Sequence, residues 1–436
     1  MTHHCYHGIS QLLTMGGAAN AQSAEEALGV IEDAALVVDA TGHVTWVGPG
    51  AEKPTTETDT DLGGALVMPG FVDAHTHVVF AGDRTGDFTA RCAGETYQEI
   101  AARGGGIRLT VNATRSASLE ELVTLALPRL QELLEHGVTT VEVKSGYGLS
   151  VADELRMLEA IAQLDTMGPW RLIPTLLAAH IIPDEFKGDR EGYVALVNDE
   201  LLPEVARRGL ARHVDVFCDT GAFTLTETLS ILERGRALGL GLKVHAEQLT
   251  HTGASGAAAA LGAVSADHLE HIAPQDISAM AKSGTAAVLM PAVALFLGEE
   301  HRAPARALLE AGVPVALATD CNPGSCPTRH LPLVASLGCT WLGMAPHEAL
   351  HGITRAAAHA VGLDDGTGTL TPGAPADFIT SMLPSWQHLP YRFGHNPIQD
   401  VFIAGRRVLS RLQPGYGEEL DVLHHCQEDP QGESPC

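Results

Sequence analysis

Between residues 70 and 320 the chain repeats one pattern: a short apolar run, then a stretch of helical period. The runs fall at 70–75 (GFVDAH), 138–144, 171–178, 213–218, 241–246, 263–268, 286–291 and 314–320. Each has the length and the Val, Ile and Leu content of a strand. Helical stretches lie between them, and 118–136 opens with a capping box, Ser118 followed by Glu121. Pro128 inside that stretch is expected to kink the helix or split it. Gly137, Gly209, Gly262, Gly284 and Gly312 stand where helices should end before the next strand.

Strand-then-helix units in this number predict an α/β fold of the (β/α)8 TIM-like barrel type. A doubly wound open sheet is the alternative, weakened because no phosphate-cradling glycine fingerprint follows the first strand. The run Gly104-Gly105-Gly106 reads as a substrate-facing loop.

The chain ends read differently. Residues 35–48 alternate as strands do around a turn at 39–42, and strand patterns return after 374. The two flanks predict a small β-sandwich-type domain built from both chain ends, with 1–65 and 371–412 flanking a barrel at 66–370. Residues 413–436 are polar and rich in Pro and Gly, so a flexible tail is expected.

Composition adds exclusions. The 436 residues are 45% hydrophobic and 18% charged, ordinary for a globular enzyme. A formal net charge of −26 disfavours a nucleic-acid partner. Eight scattered cysteines without paired CxxC motifs suggest reduced thiols. No apolar stretch approaches the ~18 residues a membrane span needs, and no basic-then-apolar leader opens the chain. A cytoplasmic protein with no membrane partner is the expectation.

The chemistry gathers at the strand ends. Asp73-Ala74-His75-Thr76-His77 puts His75 and His77 on one face of the first strand, because alternate residues share a face. His245 ends the fifth run, His268 the sixth and Asp320 the eighth. Each alone could cap a helix or bond a loop. Together on the rim where barrel active sites lie, they suit a divalent transition metal, zinc or iron.

These positions resemble the amidohydrolase superfamily, with its HxH on the first strand, His on the fifth and sixth, and Asp on the eighth. The likeness is strongest to the imidazolonepropionase family, through HTHVVFAGDR, GGGI, VEVKSGYGL, LLAAHIIP, KVHAEQL, ADHLEH and TDCNPGS. It covers about 65–330 and extends into the flanks. The resemblance implies that His75, His77, His245 and Asp320 bind one divalent metal ion per subunit, with His268 and Asp320 catalytic. Two-metal relatives need a bridging group on the fourth strand, often a carboxylated lysine. The fourth strand here, HVDVFC, has none, and Lys144 lies on the second.

The implied reaction is hydrolysis of the cyclic amide of 4-imidazolone-5-propanoate by a metal-activated water, giving N-formimidoyl-L-glutamate in histidine degradation. The implied partners are a small-molecule substrate carrying a carboxylate and a second copy of the chain in a homodimer. The substrate pocket would comprise Arg84, Tyr147, His180, Gln248, Asn322, Gly324 and Ser325, with the planar fork of Arg84 reading the carboxylate. Related deaminases carry Glu where this chain has Gln248, and an amide is no general acid. That departure disfavours deamination and leaves the role of Glu247 open. The alternatives are another cyclic amide or amidine hydrolase, such as a nucleobase deaminase, and a metal-free scaffold.

Overall fold

A computed structural model describes residues 3–17, 21–95, 99 and 104–411. The tail expected at 413–436 lies outside the described residues. Four strands open the chain: β1 (His3–Leu13), β2 (Val30–Asp39), β3 (Val44–Pro49) and β4 (Thr58–Pro69). Eight more follow in the middle: β5 (Phe71–Asp73), β6 (Val138–Lys144), β7 (Arg171–Ala179), β8 (His213–Cys218), β9 (Gly241–Ala246), β10 (Ser265–His268), β11 (Ala286–Leu289) and β12 (Val315–Leu317). Each strand from β5 to β11 pairs in parallel with its successor. Each of the apolar runs in the sequence became one of these strands.

The ring closes just beyond the first and last strands. Asp320 N donates to His75 O at 3.0 Å, and His77 N donates to Cys321 O at 2.9 Å. Below that seam, Asp73 accepts from Thr319 Oγ1 at 2.6 Å and from Thr319 N at 3.1 Å. The barrel is thus joined at the two places where the sequence puts candidate ligands.

The remaining strands, β13 (Phe378–Ser381), β14 (Asp400–Ile403) and β15 (Arg406–Ser410), return to the N-terminal flank. With β1–β4 they make one seven-stranded sheet, ordered β15-β14-β13-β4-β1-β2-β3. Its own core includes Leu12, Leu36, Val38 and the rings of Phe378 and Phe402, stacked 4.3 Å apart. Only Gly70 separates β4 in this sheet from β5 in the barrel. A Cβ there would lie 2.4 Å from Thr139 Oγ1, so the crossing admits no side chain.

The capping box forms as expected, with Ser118 Oγ accepting from Glu121 N and the Glu121 carboxylate accepting from Ser118 N. The helix Leu119–Glu135 nevertheless runs on through Pro128 without splitting. It loses one backbone bond there, but buries Leu122, Val123, Ala126, Leu130, Leu133 and Leu134 against the barrel, and that packing outweighs the local defect. Among the described residues no helix is long and apolar enough to cross a membrane.

Candidate active site

The four strand ends singled out by the sequence meet at the rim. His75 Nε2 lies 3.5 Å and His77 Nε2 3.4 Å from the same atom, Asp320 Oδ1. The ring of His245 is centred 4.4 Å from that of His75, and His268 stands 5.3 Å from His245 and 5.5 Å from His75. All are buried. Three of the turns that aim these groups are strained: Glu247, His268 and Asp320 have φ of 52°, 81° and 51°. Left-handed backbone at non-glycine residues costs of order 1 kcal/mol each and concentrates at working sites.

Carboxylates stand behind the imidazoles. His75 Nδ1 contacts Asp267 Oδ2 at 2.7 Å. Burial, reinforced by the nearby Lys144 ammonium, holds the His75 pKa well below its ordinary value, so the ring is neutral. A neutral ring whose Nδ1–H donates to a carboxylate presents a bare lone pair on Nε2. His245 Nδ1 lies 3.0 Å from Asp215 Oδ2, in contact but without the alignment of a hydrogen bond.

The residues expected to face a substrate gather around His77. The His180 ring stacks on His77 at 5.5 Å and 18°, and Tyr147 sits 5.8 Å from His77 and 5.5 Å from His180. His180 Nδ1 donates to Gly146 O at 3.0 Å, which turns Nε2 into an acceptor. Burial pushes the pKa values of His180 and His268 down to about 3, so both rings are neutral in ordinary buffers. The loop bearing Tyr147 is anchored by Glu154, whose buried carboxylate accepts from Gly146 N, Gly148 N and Leu149 N.

Arg84 comes from the far side. Its Nε donates to Asp87 Oδ2 at 2.6 Å, and a Cβ on Gly324 would lie 2.7 Å from Arg84 Nη1. Gly324 therefore lets the guanidinium approach. Asn322 uses its amide within its own loop: Oδ1 accepts from Gly324 N and Ser325 N, and Nδ2 donates to Asp320 O and Ser325 Oγ. Ser325 Oγ in turn lies 3.5 Å from Asp320 Oδ2. Gln248 sits half-buried just past β9. Its neighbour Glu247 points elsewhere: the carboxylate accepts from Thr252 Oγ1, Ala254 N and Ser255 N at the start of the next helix.

Residues 66–408 match the model of the Amidohydrolase family. An imidazolonepropionase of Myxococcus xanthus is 47% identical over 412 residues, 93% of this chain and 97% of its own. One from Erwinia tasmaniensis is 48% identical over 87% of this chain and 94% of its own. The chain belongs to the imidazolonepropionase family of amidohydrolases. Among solved structures, a triazine hydrolase variant matches with a TM-score of 0.71 at 17% identity, over 97% of this chain and 98% of its own. An adenosine deaminase of Xanthomonas campestris with bound zinc matches at 0.66 and 19%, over 97% of each chain. At such identities these two establish the shared fold alone.

The donor set of this amidohydrolase fits a divalent metal ion. His75, His77 and Asp320 offer ligand atoms within 4.8 Å of one another, and so do His75, His245 and His268. His75 Nε2, both ring nitrogens of His245 and His268 Nδ1 are buried without a hydrogen-bond partner. Polar atoms left so are costly unless a cation or substrate meets them.

The charged floor of this imidazolonepropionase-family barrel stands outside the candidate residues that the sequence offers. Glu142, Lys144, Asp215, Lys243 and Asp267 are fully buried inside the strands. Lys144, set aside as misplaced for a bridging ligand, lies directly beneath the histidines. The signal was present as ionisable residues within otherwise apolar strands (VEVK, HVDV, LKVH, SADH).

Proposed function

We propose that the chain hydrolyses the ring amide C–N bond of 4-imidazolone-5-propanoate, yielding N-formimidoyl-L-glutamate, in histidine degradation. The observation that supports this most is the joint placement of the His75–His77–Asp320 convergence and the Arg84 guanidinium against Gly324, a few residues from Asp320 in sequence. A cation-binding centre thus adjoins a carboxylate reader.

His75, His77, His245 and Asp320 would hold one divalent ion, and three imidazoles with a carboxylate suit zinc or iron. When bound, such an ion polarises a carbonyl and lowers the pKa of water towards neutrality. The remaining steps belong to the chain. Arg84 grips the propionate carboxylate bidentately, while Tyr147, His180 and Gln248 flank the ring and Asn322, Gly324 and Ser325 shape the loop that faces it. His268, neutral at working pH, donates to the ring carbonyl and stabilises its developing negative charge. Asp320 accepts the proton of the attacking water and passes it to the departing ring nitrogen. Glu247 is committed to a helix terminus and takes no proton in this scheme.

Direct assay decides the reading. The zinc- or iron-loaded chain is to consume imidazolone propionate and form N-formimidoyl-glutamate, while guanine and cytosine remain unchanged. Deamination of either base without imidazolone turnover would move it among the deaminases. The same reading places a homodimer in the cytoplasm, checked by light scattering and fractionation.

A further inference from the structure

The reaction scheme leaves the buried lysines of the barrel floor unused. Lys144 Nζ stands 2.7 Å from Glu142 Oε1, 2.7 Å from Asp215 Oδ2 and 3.6 Å from Asp267 Oδ2. Burial alone would lower its pKa, but the three carboxylates outweigh that and raise it, so the ammonium stays charged. Two of the three carboxylates back the histidines: Asp267 against His75 and Asp215 against His245.

Asp215, His245 and Asp267 also present ligand atoms within 4.8 Å of one another, a grouping that would itself attract a cation. The Lys144 ammonium already lies between its two carboxylates. Lys243 is the natural comparison. It is equally buried and 3.7 Å from Asp267 Oδ2, but its Nζ donates to the backbone oxygens Ala360 O at 3.2 Å and Ala74 O at 3.5 Å. One lysine is bound to carboxylates, the other to backbone.

We propose that Lys144 is a positioning residue of the metal centre: a built-in cation that holds Asp215 and Asp267 behind His245 and His75 and keeps the centre to a single ion. The inference rests on the reading of His75, His77, His245 and Asp320 as metal ligands. Glu142 extends the linkage, because its Oε2 accepts at 3.4 Å from the backbone N of Thr76, between the two histidines of the first strand. Loss of the ammonium removes the charge that joins Glu142, Asp215 and Asp267, leaving Lys243 near Asp267, and Asp215 and Asp267 move apart. Groups behind a metal ligand typically govern ~10–100-fold in metal affinity.

The test is zinc affinity, measured by competition between the full-length holoprotein and a chromophoric chelator, with no substrate present. Lys144→Met, which keeps an unbranched chain of nearly the same length and removes its charge, is to bind zinc at least about ten-fold more weakly than wild type. Lys243→Met is to weaken it markedly less, and wild type is to saturate at one equivalent per chain. Unchanged affinity in Lys144→Met, equal losses in the two lysine variants, or two equivalents in wild type would each overturn the proposal. If Lys144→Met does not yield folded protein, Lys144→Gln decides, since its amide is polar but carries no charge. A loss of about ten-fold supports the proposal, and wild-type affinity refutes it. Wild-type protein that takes up no zinc or iron would instead undo the metal reading on which the inference stands.

Discussion

Asp87 holds Arg84 by its inner nitrogen, at 2.6 Å, and turns the two terminal nitrogens of the guanidinium towards Gly324. The same oxygen of Asp87 accepts from Gly106 N at 2.9 Å, so the glycine loop and the arginine share one anchor. Arg84→Ala is expected to raise KM for imidazolone propionate by about a hundred-fold, the loss of a charge-assisted bidentate pair at roughly 3 kcal/mol. Asp87→Asn is expected to raise it less, and a ring lacking the propionate should be insensitive to either change. Parallel losses on both substrates would remove Arg84 from the carboxylate.

Removal of the metal should both inactivate and loosen the protein. A chelator is expected to abolish hydrolysis and lower Tm, because a ligand at 1,000 times its Kd stabilises by about 4 kcal/mol. Zinc should restore both. His75→Ala should lose metal and activity together, whereas Asp320→Asn should lose turnover while the fold persists. Metal content and initial rates, measured on the same preparations, check this.

Glu154 links stability to the proposed substrate pocket. Its carboxylate gathers backbone N–H groups on either side of Tyr147, and Gly146 O in turn fixes the His180 ring. Glu154→Ala leaves those donors buried without a partner, at about 1–3 kcal/mol in stability. KM should rise with the fall in Tm. A lower Tm at constant KM would confine Glu154 to a structural role.

His330 gives a pH-dependent element away from the metal. Its Nδ1 accepts from Leu333 N at 3.1 Å and so caps the helix Leu331–Thr340. Burial, aided by the His136 ring 4.2 Å away, lowers its pKa to about 4. The folded value lies below the unfolded one of 6.5, so the neutral ring stabilises the fold fully above 6.5, and that contribution fades as pH falls towards 4. His330→Ala should therefore cost about 1 kcal/mol at pH 7.5 and progressively less on acidification. A gap between the two melting curves that stays constant with pH would exclude the capping nitrogen as its cause.

Much of this was legible in the sequence because each signal was local. The run 138–144 and the turn after Leu134 are set by neighbouring residues, and His75 and His77 share a face by strand geometry alone. At Pro128, where a kink or a split was expected, the helix does not split, because the burial of Leu130, Leu133 and Leu134 is a property of the barrel rather than of the helix. The Asp267–His75 contact joins residues distant in sequence, and no periodicity announces it. Lys144 was visible as a charge in a buried strand, but its partners on β8 and β10 become neighbours only once the sheet is ordered.

The seam between His75 and Asp320 carries one more implication. The residues that close the ring are the ones that would grip the ion, and they come from opposite ends of the barrel sequence. An unfinished barrel thus holds no assembled centre, and a centre, once assembled, straps the first strand to the last. Metal content therefore counts completed molecules. Truncated or misfolded chains of this protein should be found empty rather than weakly active.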